Sequence, residues 1–537
     1  MLRRSFVNIL VSSVLFALLG VRARAQKPHR FLHGVASGDP LADGVILWTR
    51  ISGVDGESVA VNWQVATDAN MTSVIQEGRV ETDADRDYTV KVDARNLPSG
   101  SQLYYRFVAG GVVSPVGKTR TLPAGTTDIA RFAVVSCSNY PTGYFHAYRE
   151  IAKRSDLDAV IHLGDYIYEY GQGQYATEYA EQLGRIPDPV GELITLTDYR
   201  RRHAQYKSDP DSQAMHAAHA LVAVWDDHEL VNDAWRDGAE NHNEGEGDWF
   251  ERLDVAIQAY LEWMPVRVEG DGPNTRIFRE FRFGDLLSLI MLDTRLHGRD
   301  RQPVLDIEMS DEEIDQVLGD PDRQLLGAEQ SGWLDDALIR ASETTWQVIG
   351  QQVMVSTVRA PSLGPLLDPE GESPLPRDFL DQSILMSKRN PPLLLDTWDG
   401  YDAARQSMFG SLTASATNPV FLSGDLHTSL AGNLVPIGEK KPVAVEFMGP
   451  SVTSPGFAEY LPERHPGAVR DATLELNSNL AYMETDRRGW LCMTFTHRQC
   501  TGEWHLLDSV RSAEYSVTLD KRLSVTAGKI SEGLYPG

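Results

Sequence analysis

Cysteine is scarce in this chain, with Cys137, Cys492 and Cys500 the only three in 537 residues. That excludes a disulfide framework as the main brace of a protein this long. Basic residues are short as well: 50 Lys and Arg stand against 76 Asp and Glu, a formal charge of -26. Such a balance excludes nonspecific attraction to nucleic acid or anionic lipid as the organising activity, while leaving room for a local positive pocket around metal ions. After residue 25 no run approaches the roughly 20 apolar residues of a membrane span, so the mature protein is expected to be soluble. Repeats and low-complexity tracts are missing too, which excludes a repeat array.

What is present begins with the ends. Arg3-Arg4, a mostly apolar stretch from Val7 to Leu19 and Ala23-Arg24-Ala25 have the charged, apolar and small-residue parts of a secretory signal occupying residues 1–25. The paired arginines ahead of Ser5-Phe6-Val7 resemble a twin-arginine signal, with an ordinary secretory signal the alternative. Export would place the protein in the periplasm or outside the cell. In an oxidising compartment an idle exposed thiol is a liability, and metal ligation would explain Cys137. Cys492 and Cys500 flank a hairpin, Leu491 to Thr496 and Glu503 to Leu507, and either pair across it or stay free.

The length calls for two domains and a tail. Residues 27–125 hold alternating runs such as Gly44 to Trp48, Val59 to Trp63 and Leu103 to Phe107, spaced by Gly, Asp and Pro turns, which predicts an all-β sandwich. Leu122 to Thr127 reads as a linker. Over 128–510 strands alternate with amphipathic helices, among them Trp249 to Trp263 and Gln330 to Ile339, which indicates layered α/β architecture. Gly171 to Pro189 and Val358 to Pro392, rich in Gly, Pro and charge, are expected to form loops at the mouth of a site. Residues 511–537 form a polar tail, either a helix or an extended arm.

The chemistry sits where apolar runs stop. Ala130 to Ser136, Asp158 to Leu163, Ala220 to Trp225, Leu286 to Leu292 and Pro419 to Ser423 read as buried strands. They end on Ser136-Cys137-Ser138, Gly164-Asp165-Tyr166-Ile167-Tyr168, Asp226-Asp227-His228-Glu229, Asp293-Thr294-Arg295 and Gly424-Asp425-Leu426-His427. Ligands of open α/β sheets lie beyond the carboxyl ends of the strands, so these clusters can converge. Together they supply carboxylate, imidazole and thiolate donors, the set a hydrolytic metal centre needs.

Asp165 follows a glycine that lets backbone and metal approach closely, and its carboxylate can bridge two cations. Tyr168 lies three residues on and could bind one of them as a phenolate, which favours a trivalent ion because its ordinary pKa of about 10 must fall. The crowding of charge in Asp226 to Glu229 calls for a divalent ion, with a solvated acidic turn the alternative. His228 either ligates or, by preference, protonates or stabilises the departing oxygen. Asp425 and His427, two residues apart on an extended segment, can serve one metal each. Gln351-Gln352 supplies a candidate amide ligand or a turn, and Asn232 and Arg295 are candidates to touch metal or phosphate, Arg295 catalytically, with a structural salt bridge the usual role of such an arginine. His162 reads as core; His203, His216 and His219, on helical-looking stretches, read as surface residues.

These residues resemble the PhoD-like alkaline phosphatases, a branch of the calcineurin-like metallophosphoesterases. The resemblance runs through Gly34 to Pro40, Ile46 to Arg50, Ser136-Cys137, Gly164 to Tyr168, Trp225 to Glu229, Leu292 to Arg295, Trp398 to Tyr401, Gly424 to His427 and Ser451 to Gly456. It implies a four-layer α/β/β/α sandwich with an N-terminal all-β domain, exported, with Fe(3+) and Ca(2+). Cys137, Asp165, Tyr168 and His427 would hold iron; Asp165, Asp227 and Asp425, with Asn232 or Gln352, would hold calcium. The implied reaction is in-line attack on phosphorus by a metal-activated hydroxide. Expected substrates are small phosphate esters, including phospholipid or nucleotide diesters, acted on by a monomer. Two alternatives stand: a phosphodiesterase of the phospholipase D type, and a secreted metal-binding protein without turnover.

Overall fold

The structure, a computed structural model, describes residues 30–537 apart from 55, 57, 271–274, 307, 363–386, 388, 390, 457–458 and 460–466. The expected signal segment and the middle of the Val358–Pro392 loop therefore lie outside the described residues.

Two sheets face each other. One has ten strands, in spatial order Tyr535–Pro536, Val517–Thr526, Gln499–Leu507, Gly489–Thr496, Ile129–Val135, Ala159–His162, Ala220–Ala223, Val35–Gly38, Gly44–Arg50 and Thr89–Arg95. The other has seven: Arg279–Phe283, Leu287–Met291, Trp346–Gly350, Pro419–Ser423, Ala444–Met448, Ser429–Leu434 and Leu480–Glu484. The central strands of both are parallel. Alternation along them explains the layering. Leu289, Val348, Val420 and Val445 point into the core shared with Phe132 and Val134 of the first sheet, while Ile290, Ile349 and Phe421 point outward to Leu334, Leu338 and Phe409 of the helices Gly327–Ala341 and Asp402–Ser415. Strands buried on both faces read as unbroken apolar runs rather than alternating ones. On the far side, the helices His146–Lys153, Leu196–Ser208, Pro210–Ala218 and Trp249–Trp263 cover the ten-stranded sheet.

The N-terminal segment is a sandwich of a particular kind. Val74–Thr82, Val59–Ala66, Gln102–Ala109, Val112–Val113 and Gly117–Arg120 form a separate small sheet. Its partners across the core, Gly44–Arg50 and Thr89–Arg95, belong to the ten-stranded sheet, because Val35–Gly38 pairs in parallel with Ala220–Ala223. The Leu122–Thr127 stretch is tied at both ends, Leu122 N–H donating to the Leu41 carbonyl at 2.9 Å and Thr127 N–H to Asp285 Oδ1 at 2.9 Å.

Of the two readings of the C-terminal residues, the extended one holds: Val517–Thr526 is a strand hydrogen-bonded along Gln499–Leu507, with Leu523 and Val525 buried. One expectation is corrected. His203, His216 and His219 are buried rather than surface residues. The helices that carry the first two bury polar faces: Tyr199, Arg202, His203, Tyr206 and Lys207 on one, Asp211, Ser212, Met215 and His216 on the next. His162 is in the core, as its apolar strand suggests, with Nε2 2.9 Å from the Tyr148 hydroxyl. Among the described residues no helix is long and apolar enough to cross a membrane.

Candidate metal centre

The chain leaves its strands at the site through backbone that ordinary residues avoid. Cys137, Asp165, Asp233, Asp425 and His427 all have positive φ, between 51° and 64°. Each such non-glycine residue costs about 1–2 kcal/mol, and strain of this kind gathers at functional sites. Two glycines allow the turns. At Gly164, φ is 108°, and a Cβ would lie 2.3 Å from the Asp226 Cβ; at Gly424 it would lie 2.6 Å from the Ser136 hydroxyl. The loops are then locked together by Glu229, whose carboxylate accepts the N–H groups of Tyr166 at 2.6 Å, Asp226 at 2.8 Å and Asp165 at 3.0 Å. Glu229 is thus satisfied by backbone, and only part of the Asp226–Glu229 charge needs a cation.

What converges is a double cluster. Donor atoms of Cys137, Asp165 and His427 lie within 4.8 Å of one another, and so do those of Asp165, Asp227 and His228, and of Asp226, Asp227 and Asp425. Asp165 belongs to two of these groups. The Tyr168 hydroxyl lies 2.8 Å from Asp165 Oδ2 and 3.1 Å from His427 Nε2, and accepts a hydrogen bond from Ser454 at 2.7 Å. Its single proton cannot serve both the carboxylate and the imidazole. His427 Nδ1 lies 3.0 Å from the Pro455 carbonyl, an acceptor only, so Nδ1 carries the proton and Nε2 keeps its lone pair for the cluster.

The donor set fits cations. Asp165 Oδ1, Asp226 Oδ2 and Asp227 Oδ1 are buried without a hydrogen-bond partner, an arrangement costly for carboxylates unless a cation takes the lone pairs. Burial, with Asp227 and Asp226 beside it, pushes the Asp165 carboxyl well above the usual range despite the opposing charge of His228. Burial likewise raises Asp425 to about 7 even with Arg295 opposing it. Burial and the Asp165 charge raise the Cys137 thiol and the Tyr168 phenol. A di- or trivalent ion inverts each of these shifts.

Arg295 is fully buried and bonds Asp226 through Nε, Asp396 through Nη1 at 2.9 Å and Asp425 through Nη2 at 3.1 Å. Its geometry is that of a brace for the ligand-bearing carboxylates. His228 lines the cleft, its ring stacked on Tyr168 at 4.2 Å, with Nδ1 2.7 Å from Glu169 Oε2. Burial alone would lower its pKa, but Asp227, Glu169 and Asp165 raise it well above the ordinary imidazole value. Asn232 also lines the cleft, its side chain on Glu240 at 3.1 Å. Gln352 is not brought to the cleft. Its amide donates to the Trp225 and Leu292 carbonyls and accepts from the Thr294 N–H and hydroxyl, so both ends are used within the protein.

Above the cluster opens a cleft of about 610 Å3. Its lining combines polar residues, Asp165, Asp227, His228, Asp233, Asp396, Asp425 and His427, with apolar ones, Val304, Leu305, Leu393, Leu395 and Leu426.

Comparison with known proteins then decides the relationship. The profile of the PhoD-like phosphatase family matches residues 132–504, and that of the PhoD-like phosphatase N-terminal domain matches residues 18–123. The chain belongs to the PhoD-like phosphatase family. It is 35% identical to alkaline phosphatase D of Bacillus subtilis (strain 168) over 522 residues, covering 94% of this chain and 82% of that protein. A solved structure of PhoD superposes with a TM-score of 0.80 at 32% identity, covering 94% of this chain and 92% of the other.

Within this PhoD-like site several residues escaped the sequence reading. Glu169, fully buried, holds His228 Nδ1 and the Asn232 N–H, and it directly follows Tyr168, so the Gly164 motif could have been extended by one residue. Asp396 ends the apolar run Leu393-Leu394-Leu395, the same signal that marked the other clusters. Asp226 was noticed as charge but not as the anchor of Arg295.

Proposed function

We propose that this PhoD-like protein is an exported, metal-dependent phosphoric ester hydrolase, an alkaline phosphatase acting on phosphate monoesters, diesters or both. The observation that carries the reading is the double cluster sharing Asp165 at the floor of an open cleft, with three buried carboxylate oxygens left without hydrogen-bond partners. Cys137, Tyr168 and His427 form a thiolate, phenolate and imidazole set suited to Fe(3+), and Asp227 and Asp425 a carboxylate set suited to Ca(2+), with Asp165 between them and Asn232 in the lining of the same cleft. When bound, the ions supply the acidity that lowers the pKa of a water and the charge that offsets the phosphoryl oxygens.

The chain's own residues do the rest. Glu169 fixes the His228 ring with Nδ1 toward its carboxylate, which leaves Nε2 to hold a proton for the leaving oxygen. Arg295 pairs with Asp226, Asp396 and Asp425 and keeps them aimed. Residues 1–25 carry the twin-arginine-type export signal, and a chain exported folded keeps the thiol of Cys137 committed to metal.

Elemental analysis of protein from its native export route, with monoester and diester hydrolysis assayed before and after chelation, tests this. Metal bound in both halves of the cluster around Asp165, activity lost on chelation, and an Asp165→Asn variant that loses that metal and turnover are expected. Activity indifferent to chelation would sink it. The apolar lining residues Val304, Leu305 and Leu393 to Leu395 favour a diester with an apolar alcohol as a second reading; a larger kcat/KM for such diesters than for their monoesters would select it.

A further inference from the structure

A second cluster of metal-ligating chemistry lies on the ten-stranded sheet, outside the cleft. The hairpin Gly489–Thr496 and Gln499–Leu507 sets Cys492 directly opposite Glu503, and Trp490 opposite His505. Opposed residues share a sheet face, and so do residues two apart on one strand. Cys492, Glu503 and His505 therefore project from the same face. Their donor atoms, one sulfur, one carboxylate oxygen and one ring nitrogen, lie within 4.8 Å of one another. Cys500, opposite Phe495, is on the other face and cannot pair with Cys492, so both thiols are free and buried.

The imidazole is held as a ligand would be. His505 stacks on Trp490 at 4.9 Å and 7°. Its Nε2 is buried with no hydrogen-bond partner, and burial keeps the ring below its ordinary pKa, hence neutral. The surrounding charge does not oppose a cation. Arg154 approaches the Cys492 sulfur at 3.7 Å but is held bidentately by Asp156 at 2.7 and 2.9 Å. Arg522 bonds Glu503 through Oε1. With Cys492 as thiolate, three negative groups face two positive ones.

We propose that Cys492, Glu503 and His505 bind a borderline divalent cation of the zinc type, at a site separate from the double cluster of the cleft. One sulfur, one nitrogen and one oxygen are the donors tetrahedral zinc takes, at about 2.0–2.3 Å. Glu503 and His505 are half-buried, so a water completes the fourth position. Binding displaces the Cys492 thiol proton to solvent, which makes the affinity rise with pH.

The test uses the full chain, stripped by chelator and titrated with Zn(2+), and with Co(2+) as a spectroscopic substitute. A Cys137→Ser background removes the thiol of the cleft. In that background a cobalt–thiolate charge-transfer band is expected, abolished by adding Cys492→Ser. In the otherwise unchanged chain, His505→Gln and Cys492→Ser should each bind one fewer zinc equivalent or bind it at least about tenfold more weakly, while retaining phosphatase activity. Equal zinc stoichiometry and affinity in the parent chain, C492S and H505Q would overturn the proposal. So would the absence of any thiolate band in C137S. Should C137S fail to fold, the stoichiometry comparison decides alone, because H505Q changes only a half-buried side chain.

Discussion

At the scale of single residues, the site is set by positions whose neighbours permit one side chain only. Gly164→Ala places a Cβ 2.3 Å from that of Asp226, at a φ of 108°. Either the Asp165 loop or the Asp226 loop must move, and the N–H groups gathered by Glu229 move with it. A loss of about 2–4 kcal/mol is expected, read by denaturant unfolding, together with weaker metal binding. Full stability in this variant would mean that the tight crossing of the two loops does not exist. Arg295→Met tests the carboxylate brace. It strands Asp226 and Asp425 without their buried partner, a change that ordinarily costs about 3–5 kcal/mol. The same substitution should cost markedly less in metal-loaded protein, because cations then take over the charge; identical losses with and without chelator would refute Arg295 as a stand-in for the ions.

At the scale of elements, the ten-stranded sheet and the helices behind it carry a pH dependence. Burial lowers His162 and His203 to about 3 from an ordinary 6.5. Both are neutral in the folded protein across the interval in which the unfolded chain takes up protons. Their contribution to stability is complete above pH 6.5 and is lost as pH falls toward 3, by about 1.4 kcal/mol per pH unit for each. Unfolding free energies at pH 7 and pH 5 should therefore differ steeply, with a shallower slope in His203→Gln; a flat profile would contradict the burial. These same helices mark the limit of the sequence. Strand ends were legible because doubly buried strands leave an apolar run that stops abruptly, and Cys137, Asp165, Tyr168, Asp227, Asp425 and His427 stand at such stops. The Leu196–Ser208 helix does keep a helical period in what it buries, Tyr199, Arg202, His203, Tyr206 and Lys207. The period is written in aromatic and basic residues, which hydrophobic patterning assigns to solvent. The Val517–Thr526 strand read only as a polar tail for the opposite reason: it lies next to the sheet edge, and only Leu523, Ser524 and Val525 of its side chains are buried.

At the scale of the whole molecule, the ten-stranded sheet runs from the C-terminal strand through the ligand-bearing strands to the N-terminal ones, so the small sandwich has a core of its own but shares its sheet with the rest. Asp39, fully buried, receives Arg279 at 2.7 and 2.8 Å, and the same guanidinium donates to the Ala223 carbonyl at 2.7 Å. Trp48 packs on Trp263 and donates to the Glu262 carbonyl at 2.8 Å. The first contact ties Asp39, through Arg279, to the strand that ends on Asp226, and the second ties Trp48 to the helix Trp249–Trp263. Two independent domains would melt in two steps. A shared sheet predicts instead that the N-terminal strands and the metal centre unfold together, in one calorimetric transition whose van't Hoff enthalpy matches the measured heat. Chelation should then shift the whole transition downward, since ions that bind only the folded state stabilise everything coupled to them. A melt in which the N-terminal signal stays fixed while the catalytic transition moves would show that the parallel pairing of Val35–Gly38 with Ala220–Ala223 is too weak to couple them.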